Sequence, residues 1–147
     1  MKVKVKKLDK VARLPTKATE GSSCYDVYSN EGGLSKTGVW LAPGEVKAFG
    51  TGLAFECDEG DELEVRPRSG LASKGILIAN SPGTLDSDYR GELKVLLVNL
   101  SDTGKVLEKG DRIAQIKVNK CIPIEFEEVE ELSETVRGKG GFGSTGI

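Results

Sequence analysis

The chain of 147 residues contains no histidine. That absence excludes a Ser-His-Asp triad, a Cys-His nucleophile pair, HExxH zinc sites and the His-dependent zinc deaminases. Acid–base chemistry must fall to carboxylates, lysine, tyrosine, cysteine or water. Cysteine is sparse. Cys24, Cys57 and Cys121 stand far apart, with no CxxC spacing, so a zinc knuckle or thioredoxin-like motif does not fit. An odd count without a secretory leader points to a reducing compartment. Long apolar runs are missing too. Val95-Leu96-Leu97-Val98 is far too short to span a bilayer. The opening Met1-Lys2-Val3-Lys4-Val5-Lys6 alternates like a strand and lacks the apolar centre of a signal peptide. The expected location is cytoplasmic. No charge sign dominates either: 21 Lys and Arg face 23 Asp and Glu, a net −2. That balance argues against nucleic acid or an anionic membrane as a partner.

What is present fits one soluble domain: hydrophobic residues make up 37% and charged residues 30%. Glycine is abundant at 19 residues, roughly twice the usual ~7% share. Gly138, Gly140, Gly141, Gly143 and Gly146 crowd the end, so residues 1–136 read as one β domain and 137–147 as a separate Gly-rich segment. Short apolar stretches recur through the body: Val3 and Val5, Val46 to Cys57, Leu63 and Val65, Ile76 to Ala79, Leu93 to Val98, Ile113 to Val118 and Ile122 to Phe126. Prolines and Gly-Asp pairs punctuate them. Short strands between turn signals, with little helical periodicity, predict an all-β jelly roll or barrel. Leu71 to Lys74 offers about one helical turn, stopped by Gly75. Glu127 to Val136 is acidic without an apolar face and reads as a solvated connector.

Three segments can carry chemistry. Arg66-Pro67-Arg68-Ser69-Gly70 sets cations, a hydroxyl and a glycine ahead of the helical turn. It is either an anion site or a charged surface turn. Ser81 to Glu92 is a long polar turn holding Asp86, Asp88, Glu92 and Tyr89. It supplies either a base beside a ring-packing platform or a hairpin turn whose aspartates cap backbone groups. Arg137 to Gly146 has exposed amides, one aromatic and Ser144-Thr145, but not the GxxxxGK[ST] spacing of a P-loop. It either closes over a nucleotide or is a disordered terminus.

Taken together, these segments make the chain resemble the trimeric all-β dUTP pyrophosphatases (dUTPases) over nearly its full length. Ala18 to Val27, Arg68 to Ile76, Asn80 with Gly83 to Gly91, Gly110 to Gln115, and Arg137 to Gly146 are similar to the five family motifs, in order. Two departures stand out. Ser23-Cys24 replaces the usual Ala-Gly of the first motif. In the second, Lys74 meets Gly75 directly where the family often has a histidine.

The resemblance implies hydrolysis of dUTP to dUMP and pyrophosphate, limiting uracil in DNA and supplying dUMP. It implies that Asp86 activates the attacking water. Mg²⁺ is the implied cofactor, held mainly by the phosphates, with Asp26 touching it through water. Arg68, Ser69, Gly70 and Gln115 are implied to hold the phosphate chain. Asn80, Gly83, Thr84, Leu85 and the backbone of Lys94 are implied to read the uracil edge. Tyr89 would pack under deoxyribose. Arg137, Phe142, Gly143, Ser144 and Thr145 would close over the substrate, with Phe142 stacked on the base. A homotrimer with composite sites is also implied. A rival, dCTP deaminase, shares much of this nucleotide site. Its pattern places a Glu ten residues after the aspartate and favours Trp in the turn; here those positions are Leu96 and Tyr89. A non-catalytic relative could dispense with Asp86 and the tail, yet both are present.

Overall fold

Alternation builds the sheets. In β6 (Asp61–Arg66), Asp61, Leu63 and Val65 turn inward while Arg66 is exposed. In β9 (Lys94–Asn99), Val95, Leu97 and Asn99 are the buried set. Period-two burial is what a strand with one face on a core requires. The computed structural model describes residues 2–32 and 38–144. The remaining strands are β1 (Lys4–Lys7), β2 (Tyr25–Tyr28), β3 (Val39–Leu41), β4 (Val46–Gly50), β5 (Leu53–Glu56), β7 (Ile76–Ile78), β8 (Gly83–Leu85), β10 (Lys105–Leu107) and β11 (Arg112–Lys120). One short helix, α1 (Ser69–Ala72), interrupts them.

The strands form a four-stranded sheet ordered β2-β11-β6-β8 and a three-stranded sheet ordered β4-β9-β7. Two ribbons, β1-β5 and β3-β10, complete a jelly-roll-like, nearly all-β fold. Val27, Leu63, Val65 and Ile116 from the larger sheet meet Phe49, Ile76, Val95 and Leu97 from the smaller one in a single cluster. Each such side chain, fully buried, contributes about 1.5–3 kcal/mol. β11 buries two successive residues, Ile113 and Ala114, because its register against β2 slips between Arg112 and Ala114. Cys57 lies in this core. Burial pushes its thiol up, and the charges of Asp61 and Asp58 add to the effect. It therefore stays protonated and unreactive at neutral pH.

Three sequence expectations change. The polar stretch 81–92 is more than a hairpin turn. β7 and β9 do pair, but the chain between them first crosses to the other sheet, where β8 pairs with β6. The helical turn spans Ser69–Ala72 with Ser73 at its C-cap, two residues early at both ends, and Gly75 instead closes the turn that leads into β7. Gly75 has φ +82°, and a Cβ there would lie 2.9 Å from Ser101 atoms, so no other residue fits without strain. Ile122 to Phe126 forms no strand. Ile122, Ile124 and Phe126 are exposed, and the segment pairs with no strand among the described residues.

Asn99 is a polar side chain completely buried from solvent. Its Nδ2 donates to the carbonyls of Leu41 (3.1 Å) and Thr103 (2.9 Å). Its Oδ1 accepts from the Ser101 amide (3.0 Å) and hydroxyl (2.7 Å). The side chain thus ties β9 to β3 and to the turn before β10. Asn99→Asp sets a carboxylate against two carbonyls. It is expected to cost about 2–4 kcal/mol, read as a lowered urea midpoint at fixed chain concentration.

Candidate active site

The cationic half of the site is built on β2, β11 and the approach to α1. Antiparallel pairing sets Asp26 opposite Gln115. Asp26 is buried, and both of its oxygens are engaged. Arg68 Nε donates to Oδ1 at 2.8 Å, and Arg112 Nη1 donates to Oδ2 at 3.1 Å. Arg68 Nη1 also donates to the Arg112 carbonyl at 3.2 Å. Gln115 Nε2 donates to the Pro67 carbonyl at 2.9 Å. Asp26 and Gln115 therefore fix the Pro67-Arg68 step from which Ser69 and Gly70 open α1. Two guanidinium groups share one carboxylate, leaving a net positive charge. Arg68, Gly70, Lys74, Lys105 and Arg112 line a cleft of about 480 Å³ beside it. Such charge-assisted geometry suits a polyanion.

The second half lies in the β8–β9 segment. Asn80, Gly83, Thr84, Leu85 and Lys94 line a narrow cavity of about 60 Å³. Thr84, Leu85, Asp86, Tyr89, Glu92 and Lys94 line an adjoining one of about 200 Å³. Asp86 is exposed on the rim, and its carbonyl accepts from the Tyr89 amide at 3.2 Å. The Tyr89 hydroxyl donates to the Glu92 carbonyl at 3.2 Å. A side chain at Gly91 would collide with the Tyr89 ring, so the glycine lets the ring lie flat against the turn. Leu96, where the deaminase pattern has its Glu, lines the narrow cavity and brings no proton-transfer group to it.

The tail is a third, separate element. Arg137 Nε donates to the Gly140 carbonyl at 2.9 Å. The Ser144 amide donates to the Gly141 carbonyl at 3.1 Å. Phe142 is fully exposed, and Gly143 has φ +92°. Thr145 lies outside the described residues. The structure thus joins Asp26, Arg68, Ser69, Gly70 and Gln115 in one place. It joins Asn80, Gly83, Thr84, Leu85, Asp86, Tyr89 and Lys94 in another. Arg137, Phe142, Gly143 and Ser144 stand apart from both. Arg112 and Glu92 are additions to the implied site residues, Glu92 having been named only as one of the acids of the 81–92 turn. Arg112 sits inside the quoted Gly110–Gln115 run, but only the β2–β11 register carries it to Asp26.

The dUTPase family model matches residues 3–146. The chain belongs to the dUTPase family. A deoxyuridine 5′-triphosphate nucleotidohydrolase of Nautilia profundicola is 51% identical over 147 residues, covering 99% of each chain. The enzyme of the same name from Hydrogenobaculum sp. is 49% identical over 148 residues, covering 100% of this chain and 99% of its own. Among solved structures, the Staphylococcus bacteriophage 80alpha dUTPase with dUPNHPP superposes with a TM-score of 0.87. It has 29% identity and 99% coverage of both chains. A mutant dUTPase of phage phi11 of S. aureus, described with a structural Mg(II) ion, shares the fold. Its TM-score is 0.78 and its identity 22%, over 91% of this chain and 100% of its own.

In this dUTPase-family chain the Asp26 pairs hold cations in place. Asp26→Ala is expected to destabilise it by about 2 kcal/mol. That is below the fully buried case because Arg112 is 47% exposed. Adding Arg112→Ala to that variant should then cost little more, which a double-mutant cycle in denaturant reads directly.

Proposed function

We propose that this chain hydrolyses dUTP to dUMP and pyrophosphate with Asp86 as general base. The observation that carries the reading is the cavity lined by Asp86 and Tyr89, in a protein without histidine. An exposed carboxylate on that rim can hold a water in line with the α-phosphorus. The water oxygen bonds to phosphorus and its proton passes to Asp86. The bond from the α-phosphorus to the bridging oxygen breaks, and pyrophosphate leaves.

Arg68, Ser69, Gly70 and Gln115 hold the phosphate chain, and Arg112 adds charge beside them. The main chain of Asn80 to Lys94 matches the uracil edge. Cytosine would leave its buried donors and acceptors unpaired. Tyr89 packs under the deoxyribose and leaves no room for a 2′-hydroxyl. Arg137, Phe142, Gly143, Ser144 and Thr145 close over the substrate, with Phe142 on the base.

The donor set fits Mg²⁺ that arrives on the substrate. Among the described residues, no three Cys, Asp or Glu side chains converge to hold a metal. Asp26 already accepts from two arginines, which suits contact through coordinated water. When bound, Mg²⁺ neutralises phosphate charge, in keeping with its preference for phosphates and retained waters.

The working form is a homotrimer with composite sites. Supporting this, the cationic cleft, the Asp86 cavity and the tail share no lining residue or described hydrogen bond within one chain. Ile122, Ile124, Phe126 and Leu132 are exposed beyond β11, an apolar surface that a monomer would leave in water.

Asp86→Asn is expected to bind dUTP within about tenfold of the parent yet lose roughly 10²–10⁴-fold in kcat. Near-normal turnover would remove Asp86 from this role. In light scattering a chain ending at Val136 is expected to give about three times its own chain mass, as the 15.7 kDa parent does. It should lose about 10²-fold in kcat, more than its KM rises. Matching kinetics for the two chains would show the tail to be a bystander.

A further inference from the structure

The turn that carries Asp86 and Tyr89 is held mostly by itself. The Tyr89 amide donates to the Asp86 carbonyl, and Arg90 Nη1 donates to the carbonyls of Ser87 (2.6 Å) and Tyr89 (3.1 Å). Among the described residues, Glu92 is the one side chain of 86–92 whose hydrogen bond leaves the turn. Its Oε1 accepts from the Gly52 amide at 2.8 Å.

That anchor is rigid. Gly52 has φ +69°, and a Cβ there would lie 2.8 Å from Ala12 Cβ and from Asn30 Nδ2. Its carbonyl accepts from the Leu8 amide at 2.8 Å. The next residue along the turn is fixed as well. The Leu93 carbonyl accepts from the Thr51 amide (3.2 Å) and hydroxyl (2.8 Å), and its amide donates to Leu53 at 2.8 Å. Leu93 is thus held by backbone, whereas Glu92 is held by its carboxylate. The carbonyl of that same Glu92 receives the Tyr89 hydroxyl. A continuous path runs from the β4–β5 turn through Glu92 to the ring.

Space for the carboxylate exists because residue 50 is glycine. A Cβ there would lie 2.6 Å from Glu92 Oε1 and 2.8 Å from Glu31 Oε1. Glu31 itself accepts from the Gly50 amide at 3.0 Å. Glu92 Oε2 faces Lys94 Nζ at 3.9 Å.

We propose that Glu92 is a positioning residue. By anchoring the turn to Gly52 it fixes the height of the Tyr89 ring, and through the ring the rejection of a ribose 2′-hydroxyl. The proposal rests on the reading of Tyr89 as the sugar platform. On that reading the exclusion is steric, so displacing the ring would open room for the extra oxygen.

The test compares kcat/KM for dUTP and UTP in the parent chain and four variants. Glu92→Ala removes the anchor, Glu92→Asp shortens it below the reach of Gly52, and Glu92→Gln keeps an acceptor oxygen. The dUTP to UTP ratio is expected to fall at least about tenfold in the first two and to stay within about threefold in Glu92→Gln. A purely structural role would lower both substrates together and leave the ratio alone. An unchanged ratio in Glu92→Ala and Glu92→Asp overturns the proposal. So does a Glu92→Gln variant as indiscriminate as Glu92→Ala. If Glu92→Ala does not fold, the Asp and Gln variants decide alone. Tyr89→Ala separates the two levels. If it keeps the parent ratio, the platform reading falls and Glu92 with it. If it loses the ratio while Glu92→Asp keeps it, only Glu92 is wrong.

Discussion

A single buried carboxylate decides where the charge of this protein stands. Asp26 holds Arg68 through one oxygen and Arg112 through the other. Without that partner, two guanidinium groups on neighbouring segments would repel each other and swing into solvent. With it they remain fixed, half-desolvated and still net positive. Breaking such a partly buried pair costs more than the pair gains over apolar residues, since one charge is left uncompensated. The approach to α1, the start of β11 and the cleft between them all depend on this arrangement.

Much of this was legible in advance, for identifiable reasons. Strands such as β6 and β9 announce themselves because one face meets the core and the other does not, so burial copies the alternation of the sequence. β8 was hidden because Gly83-Thr84-Leu85 is too short and polar to show a period. It becomes a strand only because β6 offers an edge beside it. Ile122 to Phe126 misled in the opposite direction: the apolar pattern is real, but the segment pairs with no strand among the described residues.

The site divides along the same line. Residues with an unusual local signature, such as Arg68 with Gly70 two residues on or Asp86 with Tyr89 three residues on, stand out in the sequence. The roles of Arg112 and Glu92 do not, although both lie in quoted segments, because their meaning comes from partners far along the chain. Arg112 is 86 residues from Asp26 and Glu92 is 40 from Gly52. Contacts of that sequence separation are set by strand register, which depends on the packing of the whole domain.

The β1-β5 ribbon carries a consequence for how the protein behaves in a crowded solution. β1 pairs with β5 on one side, and its other edge has no partner strand among the described residues. An open strand edge is a template on which chains can stack without limit. Lys6 and Lys7 are exposed along it, while the Lys4 ammonium is paired with Glu56 at 2.6 Å. Two such edges brought side by side would press rows of ammonium groups together, at distances inside the ~8 Å screening length of physiological salt. The lysines that make the N-terminus look basic in the sequence thus act as a guard against fibrous self-association.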